Sequence, residues 1–231
     1  MRHEDKYICS GRQLALIRTR LESVMQIDSH QKGENYRIRS LYLDTASRRF
    51  YEESMNGVDN RKKYRIRFYD LNDGLLRIER KDTVGGMKQK INHKTDRDVV
   101  EKILAGEVVL PGDGLLGEIH NLQVAEGLHS AAIIDYIRCA YTYPTGNVRI
   151  TFDTDLACSG HCEDLFRKDA VLLPLLPQDR CILEVKYDAI LPGFISKMLD
   201  IGSLERVSFS KYVYAINILN GNGRSETGYE L

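Results

Sequence analysis

The stretch Tyr64-Arg65-Ile66-Arg67-Phe68-Tyr69 sets arginines between aromatic and apolar residues in alternation. Side chains two apart on a strand share a face, so Arg65 and Arg67 stand on one side and Tyr64, Ile66 and Phe68 on the other. The scheme recurs along the chain. Arg77, Glu79 and Lys81 oppose Leu76 and Ile78, and Lys88 and Lys90 oppose Met87, Gln89 and Ile91. Arg149, Thr151 and Asp153 oppose Val148, Ile150 and Phe152, and Glu184, Lys186 and Asp188 oppose Leu183, Val185 and Tyr187. Such alternation commonly marks an antiparallel sheet with one face in water. Here the charged faces hold few neutral polar residues and are basic on the early strands, with isolated carboxylates at Glu79 and Glu184. That bias opens a second reading beside the solvated sheet, an α+β fold whose sheet closes into a barrel with apolar residues outward under helices and charges inside. Unpaired buried charges carry large desolvation penalties, so such a lumen must hold water, a polyanion, or a polyanion with a metal.

Around these strands the sequence places helices and turns. A helix follows Ser10, carrying Leu14, Ile17, Leu21 and Val24 on one stripe. Tyr36 to Leu43 reads as a strand, and Asp44-Thr45 as the start of a short helix through Phe50. Strands are expected over Lys63 to Tyr69 and Leu75 to Lys81, joined by a turn at Asn72-Asp73-Gly74, and over Met87 to Asn92. Asp96 caps a helix closed by Gly106, and Leu115, Leu116, Ile119 and Leu122 mark another ending near Gly127. Strands resume over Ala132 to Tyr143 and Val148 to Asp153. Asp155 to Asp179 reads as irregular, Cys181 to Tyr187 as a strand, and Pro192 to Leu199 and Lys211 to Leu219 as helices. With no repeat and no long linker, residues 1–220 are expected to form one domain and 221–231 a flexible tail.

The 231 residues carry 33 Lys and Arg against 33 Asp and Glu, a formal net charge of zero. This excludes a polybasic coat that grips nucleic acid through bulk charge, and no nucleic-acid partner is expected. No apolar run nears the roughly 20 residues needed to span a bilayer. The start, Met1-Arg2-His3-Glu4-Asp5-Lys6, lacks an apolar signal core, and five sparse cysteines fit a reducing cytoplasm. Cys158, His161 and Cys162 lie within five residues, but a zinc site needs about four ligands and no second pair is near in sequence. Cys9, Cys139 and Cys181 fall in apolar strand settings and are expected in the core.

Six segments, in order, resemble one family. Arg2-His3-Glu4-Asp5-Lys6-Tyr7 is similar to the N-terminal strand motif of the triphosphate tunnel metalloenzymes (the CYTH-like superfamily). Tyr64 to Tyr69 (YRIRFY), Ile78 to Lys81 (IERK), Val148 to Thr154 (VRITFDT), Leu183 to Asp188 (LEVKYD) and Ser208 to Tyr212 (SFSKY) are similar to its VTC branch. That branch contains the polyphosphate polymerase domain of the vacuolar transporter chaperone and free-standing bacterial relatives. The resemblance runs from Arg2 to about Ile218. It implies a closed eight-stranded antiparallel β-barrel with helices packed outside, which binds triphosphate or polyphosphate with Mn²⁺ or Mg²⁺, and transfer of the terminal phosphoryl group of ATP to a growing polyphosphate chain.

Matched motif by motif, the resemblance implies that Arg65, Arg67, Lys81, Arg149 and Lys211 act on the transferred phosphates. Lys6, Lys88, Lys90, Lys186 and Ser208 complete the phosphate-binding set. Glu184 is the expected metal ligand, because hard divalent cations prefer carboxylate oxygen plus substrate phosphates. Glu79 and Glu4 are supporting ligands or partners of neighbouring Arg and Lys. These residue types suit phosphoryl transfer, which requires in-line positioning and neutralisation of non-bridging oxygens rather than covalent help. Arg forks onto two oxygens, and Lys acts as a point charge.

Two positions depart from the pattern. The hydrolytic relatives begin Glu-x-Glu-x-Lys, whereas this chain reads Arg2-x-Glu4-x-Lys6, which replaces one acidic ligand by a cation and weakens the case for hydrolysis. Ser208 stands where the polymerase often carries another Lys, leaving a hydrogen-bond donor without its charge. A triphosphatase of the same fold and a non-catalytic polyphosphate-binding module are the alternatives. The chain begins at the first motif, so an SPX regulatory domain is not expected, and any membrane partner would be on another chain.

Overall fold

The computed structural model describes residues 2–202 and 204–221; residues 222–231, most of the expected tail, lie outside the described residues. The strands are β1 (Arg2–Ser10), β2 (Gln26–Ile27), β3 (Tyr36–Asp44), β4 (Arg61–Tyr69), β5 (Asn72–Val84), β6 (Met87–Thr95), β7 (His129–Tyr143), β8 (Val148–Ser159), β9 (Leu173–Pro174), β10 (Arg180–Asp188) and β11 (Glu205–Arg206). The helices are α1 (Gly11–Glu22), α2 (Arg49–Met55), α3 (Arg97–Leu104), α4 (Leu115–Glu126), α5 (Gly193–Leu199) and α6 (Lys211–Leu219).

The strands form one eleven-stranded antiparallel sheet in the order β11-β1-β10-β8-β7-β3-β4-β5-β6, with β2 on β7 and β9 on β8 at the sides. This path has two ends, so the expected closed eight-stranded barrel is not formed. The end strands give the physical reason. β11 is two exposed residues. β6 is exposed over most of its length and carries Lys88, Lys90 and Lys94, side chains that discourage further strand pairing at an edge. Alternation reports which residues share a face and is silent on whether two edges meet.

The chain divides into two compact units. One comprises Ile38–Asp135, Ala157–Leu175 and the described residues from Ser210 onward. Here Leu41, Leu43, Tyr64, Ile66, Phe68, Leu76 and Ile78 form an apolar sheet face covered by Phe50 of α2, Val100 and Ile103 of α3, and Leu115 and Ile119 of α4. The β4–β5 register places Arg65 opposite Glu79 and Ile66 opposite Ile78. Its turn starts two residues earlier than expected, on Asp70 and Leu71 with φ of 51° and 53°. A two-residue hairpin turn of this hand needs positive φ at both positions, and Asn72 then pairs with Tyr69 as the first residue of β5.

α2 starts at Arg49 rather than at Asp44. The Asp44 carboxylate instead accepts from the amides of Thr45 (2.8 Å), Phe50 (2.9 Å) and Tyr51 (3.0 Å) and from the Tyr212 hydroxyl of α6 (2.6 Å). Fully buried Arg39 donates to Asp135 (2.6 Å) and to the carbonyls of Leu165 and Arg167, pinning the segment after β8. That segment is less irregular than expected: β8 continues to Ser159, a 3₁₀ turn spans Cys162–Asp164, and β9 follows. Cys158 and Cys162 are buried, and burial pushes both thiols up to about 11, which disfavours the thiolate a zinc site needs.

The other unit comprises Met1–Arg37, Tyr136–Leu156 and Leu176–Phe209. Its core joins Cys9, Ile150, Phe152, Cys181, Leu183 and Val185 to Ile17 and Leu21 of α1 and Ile195 of α5. α1 opens with a capping box: Gln13 N donates to Ser10 Oγ, and Ser10 N to Gln13 Oε1. All five cysteines are free and buried, with Cys9 Sγ 3.2 Å from Cys181 Sγ.

Candidate functional site

Each unit presents a charged sheet face opposite its core. In the unit built on β3 to β6, strand register aligns three rows. Lys63, Lys81 and Lys90 form one, Arg65, Glu79 and Asn92 the next, and Arg67, Arg77 and Lys94 the third. Seven cations therefore surround one carboxylate. Like charges directly opposite one another are destabilising in a sheet, so these rows are costly as structure alone. Glu79 is 1% exposed and holds the centre. Arg65 donates to Glu79 Oε2 from Nε (2.7 Å) and from Nη2, Lys90 Nζ donates to Oε1 at 3.2 Å, and Arg67 Nη1 lies 3.9 Å from Oε2. Burial alone would raise the Glu79 carboxyl; Arg65, Arg67 and Lys90 outweigh it and hold it far below the usual carboxylate range.

The neighbouring strand fixes the arginines from the other side. Arg67 Nε donates to Ser40 Oγ (3.1 Å), and Arg65 Nη1 donates to the Tyr42 hydroxyl (3.2 Å). The Tyr42 phenol is buried, which favours its neutral form, yet Arg65, Arg67 and Lys63 bring it down to about 8. Its ring stacks on Tyr212 at 5.1 Å between centroids. Lys63 Nζ donates to Ser210 Oγ at 2.9 Å, and the same hydroxyl caps α6. Lys211 is the first residue of α6 and half-buried, Lys81 is half-buried on β5, and Lys88 is exposed on β6 opposite Thr83.

The second face lies on β1, β10 and β8. Register aligns Glu4, Lys186 and Arg149 in one row and Lys6, Glu184 and Thr151 in the next. Lys186 Nζ is paired with Glu184 and lies 3.9 Å from Glu4. Lys6 Nζ donates to the Phe209 carbonyl (2.7 Å) and sits 3.5 Å from Glu4. Arg149 Nε donates to Asp28 at 2.8 Å and its Nη2 approaches the Tyr36 hydroxyl at 3.4 Å. Ser208 is exposed in the stretch between β11 and α6.

The structure adds Arg138 of β7 to this face. It forks onto Asp153 with contacts of 2.6 and 2.7 Å, and its Nη2 lies 3.9 Å from Glu184. Burial would lower its pKa; Asp153, with Tyr136 and Glu184 adding to it, raises it well above the usual arginine value. Sequence reading placed β7 but missed this residue and Lys63. The available signal was alternation within Tyr136-Ile137-Arg138, of the same kind as in Arg65-Ile66-Arg67.

The donor set bears on a divalent cation. Among the described residues no group of three or more His, Cys, Asp or Glu is placed to hold one unaided. Glu184 and Glu4 flank Lys186, a pair of carboxylates beside cations. Magnesium-type sites need one or two carboxylates completed by substrate phosphates, so this set fits an ion that arrives with a polyanion.

No curated protein matches this chain. Among solved structures, a Bacillus halodurans protein named as a "putative adenylate cyclase" is similar with a TM-score of 0.52 at 12% identity, covering 90% of this chain and 92% of its own. The PH1819 protein of Pyrococcus horikoshii OT3 gives 0.49 at 12% identity, covering 95% and 99%. At such identity the first likeness speaks for the fold alone. No helix among the described residues is long and apolar enough to cross a membrane. The model of the VTC domain matches residues 1–220, nearly the entire chain. This protein thus belongs to the VTC domain family.

Proposed function

We propose that the chain is a polyphosphate polymerase that passes the terminal phosphoryl group of ATP to the end of an inorganic polyphosphate chain. The observation that carries this reading is the face of β4, β5 and β6, where seven cations surround Glu79. A linear polyanion, with charge on every phosphate, relieves the repulsion within the Lys63–Lys81–Lys90 and Arg67–Arg77–Lys94 rows together. Glu79 and Ser40 hold the forks of Arg65 and Arg67 in place before substrate arrives, which limits reorganisation during transfer.

In the transfer, the bond from the γ-phosphorus to the β,γ-bridging oxygen breaks and ADP leaves with the electron pair. A terminal oxygen of polyphosphate forms the new bond to the γ-phosphorus. That oxygen is already anionic, so no general base is assigned. On the face of β4, β5 and β6, Arg65, Arg67, Lys81 and Lys90 neutralise non-bridging oxygens; the face of β1, β10 and β8 offers phosphate-binding cations of its own in Lys6, Arg149 and Lys186. Lys211 and Lys88 extend the basic set, and exposed Ser208 offers a neutral donor. Glu184, with Glu4 beside it, would hold Mn²⁺ or Mg²⁺, which supplies further neutralisation of phosphate charge when bound. Arg2 at the first acidic place of the hydrolytic motif supports transfer to phosphate over transfer to water.

The test is to incubate the protein with γ-labelled ATP and Mn²⁺ and resolve long-chain polyphosphate from free phosphate. Labelled polymer is expected. Free phosphate alone would make the protein a triphosphatase, and tight binding with neither product would make it a polyphosphate-binding module. Glu184→Gln is expected to raise the Mn²⁺ concentration for half-maximal synthesis about tenfold, the scale of one lost charged contact. An unchanged Mn²⁺ requirement would remove Glu184 from the metal site.

A further inference from the structure

We infer that Thr151 is a further phosphate-contacting residue whose hydroxyl donates a hydrogen bond to a non-bridging oxygen of bound triphosphate or polyphosphate; this rests on the function proposed above. Thr151 lies on β8 between Arg149 and Asp153, on the face turned away from the core residues Val148, Ile150 and Phe152. Its partner on β10 is Glu184, and Glu184 is partnered on β1 by Lys6. Paired strands stand about 4.8 Å apart, so the threonine is the immediate neighbour of the expected metal ligand.

Thr151 is 2% exposed, and its Oγ1 makes no hydrogen bond to any of the described residues. Folded proteins leave few buried hydroxyls without a partner, because the desolvation is uncompensated. The charged groups around it are all engaged: Lys6 with Phe209, Glu184 with Lys186, Arg149 with Asp28, and Arg138 with Asp153. Valine would fill the same space without the orphaned oxygen, so packing alone does not call for threonine here. The partner that satisfies it comes from outside the chain. Lys6, Lys186, Arg138 and Arg149 share this face, paired there with Glu4, Glu184, Asp153 and Asp28, and they are the cations that a phosphate oxygen arriving beside Thr151 would engage. Glu184 is held by Lys186 and approached by Arg138. A polyphosphate that competes for those two cations uncovers the short side chain beneath them.

The experiment compares wild type, Thr151→Val and Thr151→Ser by calorimetric titration with inorganic tripolyphosphate in Mg²⁺, alongside thermal melts without tripolyphosphate. Thr151→Val is expected to bind tripolyphosphate about tenfold more weakly, the effect of one hydrogen bond to a charged acceptor. Its melting midpoint should equal or exceed that of wild type, since the lost hydroxyl had no internal partner. Thr151→Ser, which restores the donor, should bind within about threefold of wild type. Equal affinity for Thr151→Val and wild type overturns the inference. So does a serine variant as weak as the valine one, or a valine variant that melts lower than wild type. A wild-type protein that binds no tripolyphosphate overturns the proposed function and this inference with it; wild-type binding with an unaffected valine variant overturns the inference alone.

Discussion

Replacing Glu79 with glutamine is expected to lower the free energy of unfolding by about 3 kcal/mol at pH 7, the scale for breaking a buried ion pair from one side. The side chain is 1% exposed and is the one carboxylate among the aligned rows of β4, β5 and β6. Glutamine keeps its shape but removes the charge that Arg65 and Arg67, each below 10% exposed, reach at this position. The pH dependence has a definite sign. The Glu79 carboxyl is held below its ordinary value, so its contribution is fully present above the unfolded value near about 4.3. It is lost progressively as pH falls below that value toward the folded one. Denaturant titrations of both proteins should give a constant difference from pH 8 down to about 5, shrinking below about pH 4. A difference under about 1 kcal/mol at pH 7, or one that acid leaves unchanged, would show that Glu79 does not anchor the arginines.

On the proposed polymerase function, Arg65→Lys is expected to reduce polymer synthesis about 100-fold and Arg65→Ala about 1000-fold, the range for removing a preorganised donor from a transferring oxyanion. Lysine retains the charge but lacks the fork. Arg65 reaches Glu79 through Nε and Nη2 while Nη1 meets Tyr42, and a single ammonium cannot span both. Labelled-ATP assays on variants with native circular dichroism decide the matter. An Arg65→Lys enzyme with more than a third of wild-type rate would mean that point charge suffices at this position.

Much of this was legible in residue order, and for a reason that also marks its limit. A strand two residues in period declares its faces, so Arg65 and Arg67 opposite Ile66 and Phe68 could be read directly. Closure could not, because it depends on what the outermost strands meet; the exposed lysines of β6 and the two residues of β11 end the sheet instead. Positions of local ambiguity shifted by a few residues. Asn72-Asp73-Gly74 carries turn-forming residues, but Asp70 and Leu71 make the turn, and Asp44 caps from a distance instead of starting α2. The candidate sites were read through single strands, which is why Arg138 and Thr151 escaped. Each becomes conspicuous only beside Glu184, a neighbour more than thirty residues away in sequence.

The Asp44 carboxylate has a consequence for how the unit containing β3 loosens. It binds the amides of Phe50 and Tyr51 in the first turn of α2 and the Tyr212 hydroxyl of α6, while Tyr51 Oη donates to Asn217 farther along α6. Neither helix can lift away without abandoning contacts that also secure the other. In hydrogen exchange their slowest amides should therefore share one opening free energy, and α2 and α6 behave as a single cooperative unit despite the long stretch of chain between them.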